Sequence, residues 1–319
     1  MTETHTRAAG RKKISIVGAG NIGGELASLI ARRELADVVL LDIPEKEGVC
    51  KGKALDLEQN GTILGYDCRI TGTGDYKDTA GSDVVIITAG VPRKPGMSRD
   101  DLLSINLKIM RSVASNLKQH CPGAFVIVIS NPLDAMVYEC AKVGGFAPNM
   151  VCGMAGVLDS ARMQLFLAQE IGVSVKDVRA MVLGGHGDTM VPVTSYCTVN
   201  GLPIKSFIAP DRLAAIVART ANGGGEIVKL MGTSAYYAPA TAAAAMAEAF
   251  LKDQKRLLPA AAYCSGQFGI SDLYIGVPAI IGKGGIEKVI EIHLTDEEKA
   301  MLSKSVAAVR ELVEVGAKL

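Results

Sequence analysis

The chain has 319 residues, with 34 Lys or Arg set against 33 Asp or Glu, and carries a net charge of +1. Hydrophobic residues make up 49 % and charged residues 21 %, the balance of an ordinary globular enzyme long enough for about two domains. Such near-neutrality argues against a nucleic-acid or acidic-membrane partner, which calls for a clear basic excess.

After a polar stretch ending at Lys13, Ile14–Val17 forms a short apolar run that stops at Gly18, and a helical pattern follows to about Arg33. A second apolar run, Val38–Leu41, ends at Asp42. A helix-like stretch after Gly48 leads to a strand near Cys68–Ile70. Val84–Ile87 reads as a buried strand closing at Thr88-Ala89-Gly90. Asp100 to about His120 reads as a long helix, and Ala124–Ile129 as the next strand. Short, continuously apolar strands alternating with amphipathic helices predict a parallel sheet covered on both faces, which a strand around Val151 would complete.

Beyond about residue 155 the pattern changes. A helix from Leu158 to Gly172 gives way to irregular strands and then to an Ala-rich helix, Tyr237–Leu251. Strands near Leu257–Cys264 and Leu273–Val277 precede a charged C-terminal helix. There Thr295-Asp296-Glu297-Glu298 spells a capping box. With no Pro-rich hinge between them, the two halves are expected to pack tightly. The domains expected are a disordered tail over 1–13, a dinucleotide-binding domain over 14–153, and a catalytic domain over 154–319.

The seven cysteines, Cys50, Cys68, Cys121, Cys140, Cys152, Cys197 and Cys264, are odd in number, scattered, and never spaced C-x-x-C. Reduced, buried thiols in a cytoplasmic protein fit this better than a disulfide framework or a structural zinc site. Neither a secretory h-region nor an apolar run near the roughly 20 residues of a spanning helix is found.

Gly18-Ala19-Gly20-Asn21-Ile22-Gly23 is a G-x-G-x-x-G sequence that follows a strand and opens a helix. That is the context for dinucleotide binding. The first glycine permits the turn, the second lets backbone approach a pyrophosphate, and the third lets helix pack on strand. Alone the motif is weak. Asp42, 24 residues after Gly18 at the end of the next strand, strengthens it. A carboxylate there suits the adenosine ribose and would repel a 2′-phosphate, favouring NAD over NADP.

Four histidines limit the acid–base chemistry available near neutral pH. His5 lies in the tail, His120 at a helix end, and His293 before the last helix; His186 lies in Gly184-Gly185-His186-Gly187-Asp188. Elimination leaves His186, although a lone histidine is as often structural. Asp159 and Arg162 sit at i and i+3 on one helix face. By spacing alone a surface ion pair is the simpler account; the sharper one has Asp159 orienting an imidazole and Arg162 gripping a carboxylate. The loop Val91–Arg99 leaves the ligand edge of the sheet and suits either a hinged lid or an exposed basic loop. Asn131, in Ser130-Asn131-Pro132, ends a strand on that edge and either faces a ligand or makes a plain turn.

Taken together, the Gly18–Gly23, Thr88–Gly96, Ile129–Asp134, Leu158–Arg162 and Gly184–Asp188 segments resemble the malate/lactate dehydrogenase family over nearly the whole chain. The fold expected is therefore α/β: a Rossmann-type doubly wound parallel sheet followed by an α+β substrate-binding domain. The resemblance implies NAD held by Gly18, Gly20, Asn21, Ile22, Gly23, Asp42, Thr88, Ala89, Gly90 and Asn131. It implies that His186 exchanges the proton of a 2-hydroxyl, with Asp159 orienting it. Arg162 would anchor the carboxylate beside the reacting carbon, Arg99 would polarise the carbonyl, and Asn131 would hydrogen-bond the substrate.

Arg93 carries the substrate choice. Lactate-specific members usually have glutamine there, which suits a methyl group. An arginine offers a bidentate partner to a second carboxylate, and closing it unpaired over a methyl would cost several kcal/mol. The substrate implied is a small dicarboxylate, malate or oxaloacetate, in a step of the tricarboxylic acid cycle, with no metal and a homotetramer or dimer as the assembly. The alternatives are a lactate or broader 2-hydroxyacid dehydrogenase, and a non-catalytic dinucleotide sensor.

Overall fold

The structure, a computed structural model, describes residues 10–92 and 98–319, with only the backbone of Arg99. In the first half lie β1 (Lys13–Val17), α1 (Asn21–Arg32), β2 (Asp37–Leu41), α2 (Glu47–Leu64), β3 (Ile70–Thr73) and β4 (Val84–Ile87). They are followed by α3 (Arg99–His120), β5 (Phe125–Val128), α4 (Leu133–Gly144) and β6 (Val151–Gly153). The strands pair in parallel in the order β3-β2-β1-β4-β5-β6. Chain order therefore reverses between β1 and β4, which opens a crevice beyond their C-terminal ends.

Alternation along each strand divides the core. Ile14, Ile16, Val84 and Ile86 face Leu26 and Ile30 of α1, while Val17, Val85 and Ile87 face Leu103 and Leu107 of α3. Each such fully buried aliphatic side chain contributes about 1.5–3 kcal/mol, which is why these strands carry almost no polar residue.

The second half begins with α5 (Gly156–Ile171) and the two-residue strands β7 (Val178–Arg179), β8 (Val182–Leu183), β9 (Val191–Pro192), β10 (Thr198–Val199) and β11 (Leu202–Pro203). It continues with α6 (Pro210–Met231), α7 (Tyr237–Leu251), β12 (Arg256–Ser265), β13 (Ser271–Gly282), β14 (Gly285–Val289) and α8 (Asp296–Lys318). The β12-β13-β14 meander is antiparallel and joins the first sheet through β6, at Ala261 opposite Gly153, so one sheet runs through both halves. Phe250 of α7 stacks on Phe125 of β5 with ring centroids 4.7 Å apart. The expected tight packing of the halves takes this form. Among the described residues no helix is long and apolar enough to cross a membrane, and all seven cysteines are buried and unpaired.

Three features depart from expectation. Residues 1–9 lie outside the described residues, but the end of the stretch assigned to a disordered tail is tied to the sheet. Lys13 opens β1, its N–H donating to Asp83 Oδ2 at 2.8 Å, and the Lys12 carbonyl accepts from Asp37 N–H. α4 escapes the sequence pattern because Leu133–Gly144 is buried on most sides and lacks a polar stripe. α6 escapes it because Gly223-Gly224-Gly225 lies inside the helix, a run that disfavours helix by about 1 kcal/mol per residue.

The capping box at Thr295 forms, with Thr295 Oγ1 accepting from Glu298 N–H and Glu298 Oε2 accepting from Thr295 N–H. Glu298 also accepts from Ser195 through its N–H at 3.1 Å and its hydroxyl at 2.8 Å. Burial opposes its charge, but these donors outweigh burial and hold the carboxyl below its ordinary range. Its contribution is therefore present above the unfolded pKa of about 4.3 and lost as pH falls through the lower folded value. Glu298→Ala should destabilise the fold by about 1–3 kcal/mol in urea at pH 7, and the gap from the parent should narrow below about pH 4.

Candidate active site

The crevice at the β1–β4 reversal is a cleft of about 600 Å³. Its wall draws on the ends of four strands: Gly18 and Gly20 after β1, Asp42 after β2, Thr88–Gly90 after β4, and Ile129–Asn131 after β5. Residues 233–236 close it from the other half.

The glycines fit a phosphate-binding turn. Gly18 has φ +112°, and a Cβ there would lie 2.4 Å from Thr88 Oγ1; one at Gly23 would lie 1.9 Å from the Gly18 carbonyl oxygen. A Cβ at Gly20 would meet nothing within 4 Å, so the backbone at that point faces open space at the start of α1. Asp42 Oδ2 accepts from Ala19 N–H at 2.8 Å and Oδ1 from Ile43 N–H at 2.9 Å, with Lys46 Nζ 3.8 Å away. A dinucleotide fits this cradle, with the helix N-terminus toward its phosphates and a carboxylate at the next strand end.

Two residues that sequence reasoning missed secure this wall. Lys53 of α2 donates to the carbonyls of Ala19 and Gly20 at 2.7 and 3.0 Å. Buried Asn106 of α3 accepts from Val91 N–H and donates to the carbonyls of Val91 and Asn131, thereby joining the base of the 91–99 loop to Asn131. Nothing in the local pattern marks either residue, since both act across the fold.

His186 lies in the loop between β8 and β9. Its Nδ1 is 2.7 Å from Asp159 Oδ2, while Asp159 Oδ1 accepts from Arg162 Nη1 at 3.0 Å. Asp159 is only 2 % exposed, so the surface ion pair that its spacing allowed is not what forms. Because a carboxylate can only accept, Nδ1 carries a hydrogen and Nε2 is left to exchange a proton. Burial disfavours the charged ring, but the charge and hydrogen bond of Asp159, with Asp134 adding to them, outweigh burial and Arg162, so His186 is held above its ordinary pKa.

Arg162 lies along α6, where a Cβ at Gly223 would stand 3.1 Å from its Cδ. Gly223, within the glycine run that obscured α6, is thus what lets the arginine pass. Arg162 Nε is buried and has no partner among the described residues. Asp159, Arg162 and His186 therefore come together, and Gly18, Gly20, Asn21, Ile22, Asp42, Thr88, Ala89, Gly90 and Asn131 all line the cleft. Gly23 supports the turn from beneath. Arg93 lies outside the described residues, as does the side chain of Arg99.

The His186 loop is fastened on four sides. Gly184 exchanges backbone hydrogen bonds with Gly276 of β13, Gly185 N–H donates to Ser305 Oγ of α8 at 2.8 Å, and His186 N–H donates to Asp134 Oδ2 of α4 at 2.9 Å. The ring meets α5 through Asp159. Sequence reasoning gives Asp134 and Ser305 no role, although Asp134 stands in the Ile129–Asp134 segment.

Comparison with known proteins agrees with this geometry. A family model described as "lactate/malate dehydrogenase, NAD binding domain" matches residues 12–153, and "lactate/malate dehydrogenase, alpha/beta C-terminal domain" matches residues 156–319. A malate dehydrogenase of Sorangium cellulosum is 64 % identical, the match covering 96 % of this chain and 98 % of that protein. The crystal structure of Cryptosporidium parvum malate dehydrogenase superimposes with a TM-score of 0.94 at 50 % identity, covering 97 % of this chain and all of the other. A lactate dehydrogenase of the same organism, solved with lactic acid and nicotinamide adenine dinucleotide, superimposes with a TM-score of 0.94 at 46 % identity, covering 97 % and 99 %.

Replacing Asp159 with Asn should lower the proton affinity of His186. Ring-nitrogen NMR across pH should show a midpoint about one unit or more below the parent's; an unmoved midpoint would mean the 2.7 Å contact does not set it.

Proposed function

The chain belongs to the lactate/malate dehydrogenase family, and we propose that it catalyses the reversible oxidation of (S)-malate to oxaloacetate. Its cofactor is NAD. The observation that carries the reaction class is the His186–Asp159–Arg162 cluster, joined through Asp134 and Asn131 to the dinucleotide cleft. The choice of malate rests on the name shared by relatives 56–64 % identical to this chain and on Arg93. The fold alone does not make that choice, since a lactate dehydrogenase superimposes equally well.

Bound NAD supplies the hydride acceptor. His186 Nε2 takes the proton of the 2-hydroxyl as the C2–H bond breaks, giving the imidazolium and a carbonyl at C2. Asp159 stabilises the imidazolium and fixes its tautomer; general-base help of this kind is worth about 10²–10⁴-fold. Arg162 pairs with the carboxylate next to C2. Asn131 hydrogen-bonds the substrate. Arg99 polarises the carbonyl and Arg93 pairs with the second carboxylate. In oxaloacetate reduction His186 returns the proton.

The domains we assign are 14–153 for the cofactor and 154–319 for catalysis. Exposed Leu55, Ile63 and Leu64 on α2 and Val228, Leu230 and Met231 on α6 leave apolar surface for subunit contacts. A homotetramer is the assembly we assign, with a dimer second; a monomer in sedimentation equilibrium would overturn both. Buried, unpaired cysteines suit the reducing cytoplasm, where this reaction is a step of the tricarboxylic acid cycle.

Paired assays of oxaloacetate and pyruvate with NADH and NADPH test substrate and cofactor together. Oxaloacetate with NADH should be preferred in kcat/KM, and preference for pyruvate would sink the assignment. Arg93→Gln should lower the oxaloacetate preference by about two orders of magnitude or more, the scale of losing a buried charge partner.

A further inference from the structure

The chemistry above uses Asp159 and leaves a second buried carboxylate at the same histidine without a role. Asp134 stands in the first turn of α4, three residues past Asn131, and is 4 % exposed. Its Oδ2 accepts the His186 N–H, and its Oδ1 is buried with no partner among the described residues. A buried carboxylate with one oxygen unsatisfied costs folding free energy, and an amide oxygen would accept the same N–H. The hydrogen bond alone therefore does not explain the charge.

The neighbouring residue offers a comparison. Gly185 N–H, where only position is at stake, is held by the neutral hydroxyl of Ser305. At His186, where a cation forms during turnover, the acceptor is an acid.

We propose that Asp134 is a positioning residue that also acts electrostatically. It fixes the His186 backbone and, together with Asp159, sets the proton affinity of the imidazole. The inference rests on His186 being the proton-handling group. Among the described residues, the charged groups acting on that ring are Asp159 and Arg162 from α5 and Asp134 from α4, while α8 meets the loop through the neutral Ser305. Facing Asp134 are His186 and, more weakly, Asp159.

Burial pushes the Asp134 carboxyl up to about 6, against the pull of the His186 N–H and ring. Its ionised form and the protonated form of His186 favour each other. The carboxylate and the imidazolium therefore stabilise one another.

Asp134→Asn tests this, because the amide oxygen still accepts the N–H while the charge is gone. In the full-length protein without ligands, ring-nitrogen NMR should show the His186 midpoint lowered by about one pH unit. The alkaline limb of kcat/KM for oxaloacetate reduction, which needs the protonated ring, should move down equally. Ser305→Ala, which removes an acceptor without changing charge, should leave the midpoint in place. A parent-like midpoint in Asp134→Asn, or an equal shift in Ser305→Ala, overturns the inference.

If Asp134→Asn does not fold, carboxyl-carbon NMR of the parent decides. Asp134 should then be ionised over the pH range in which His186 takes up its proton, and a carboxyl still protonated through that range overturns the inference. Full turnover in His186→Asn would instead refute the role of His186, and the ring titration would still judge Asp134 separately.

Discussion

The contact between the buried Asp159 and the half-buried His186, 2.7 Å long, is the constraint around which the second half of the chain is arranged. An isolated buried carboxylate would bind a proton or force the structure open. Here an imidazole meets one oxygen and a guanidinium the other. That requires three side chains from α5 and the His loop to meet within hydrogen-bond distance. The loop is accordingly pinned by β13, α8 and α4 as well as by α5. A ring attached to a freely moving loop would lose the proton affinity that the carboxylates give it.

The same economy of position governs the cofactor side. The β1–β4 reversal opens the crevice, and each parallel strand delivers its last residues to that one edge. Tight glycine turns bring backbone N–H groups to the surface there. Lys53 and Asn106 then brace those turns from helices that lie elsewhere in sequence. The antiparallel meander extends the sheet past β6 and carries Gly276, which fastens the His loop. A continuous sheet thus sets the distance between the cofactor crevice and the proton-handling ring.

Local pattern revealed the parts whose physics is local. Four apolar residues in a row at Val84–Ile87 have only one economical place, the middle of a covered sheet. Thr295 and Glu298 satisfy each other's backbone within one turn, so the start of α8 was legible without its surroundings. α4 and α6 were not legible, for opposite reasons. One is too uniformly buried to show a face, and the other contains a glycine run in which Gly223 makes room for Arg162, a residue about 60 positions earlier.

Composition, periodicity and the five motifs by themselves determined the alternating architecture, the cofactor class suggested by Asp42, and His186 as the surviving histidine. Tertiary structure alone decided that Asp159 is buried rather than on the surface, and that Asp134, Ser305, Lys53 and Asn106 belong to the site at all. The physical reason is distance along the chain. Capping, strand burial and turn formation depend on neighbours within a few residues. The electrostatics of His186 depends on Asp134 and Asp159, 52 and 27 positions away, and on how much water the fold leaves between them.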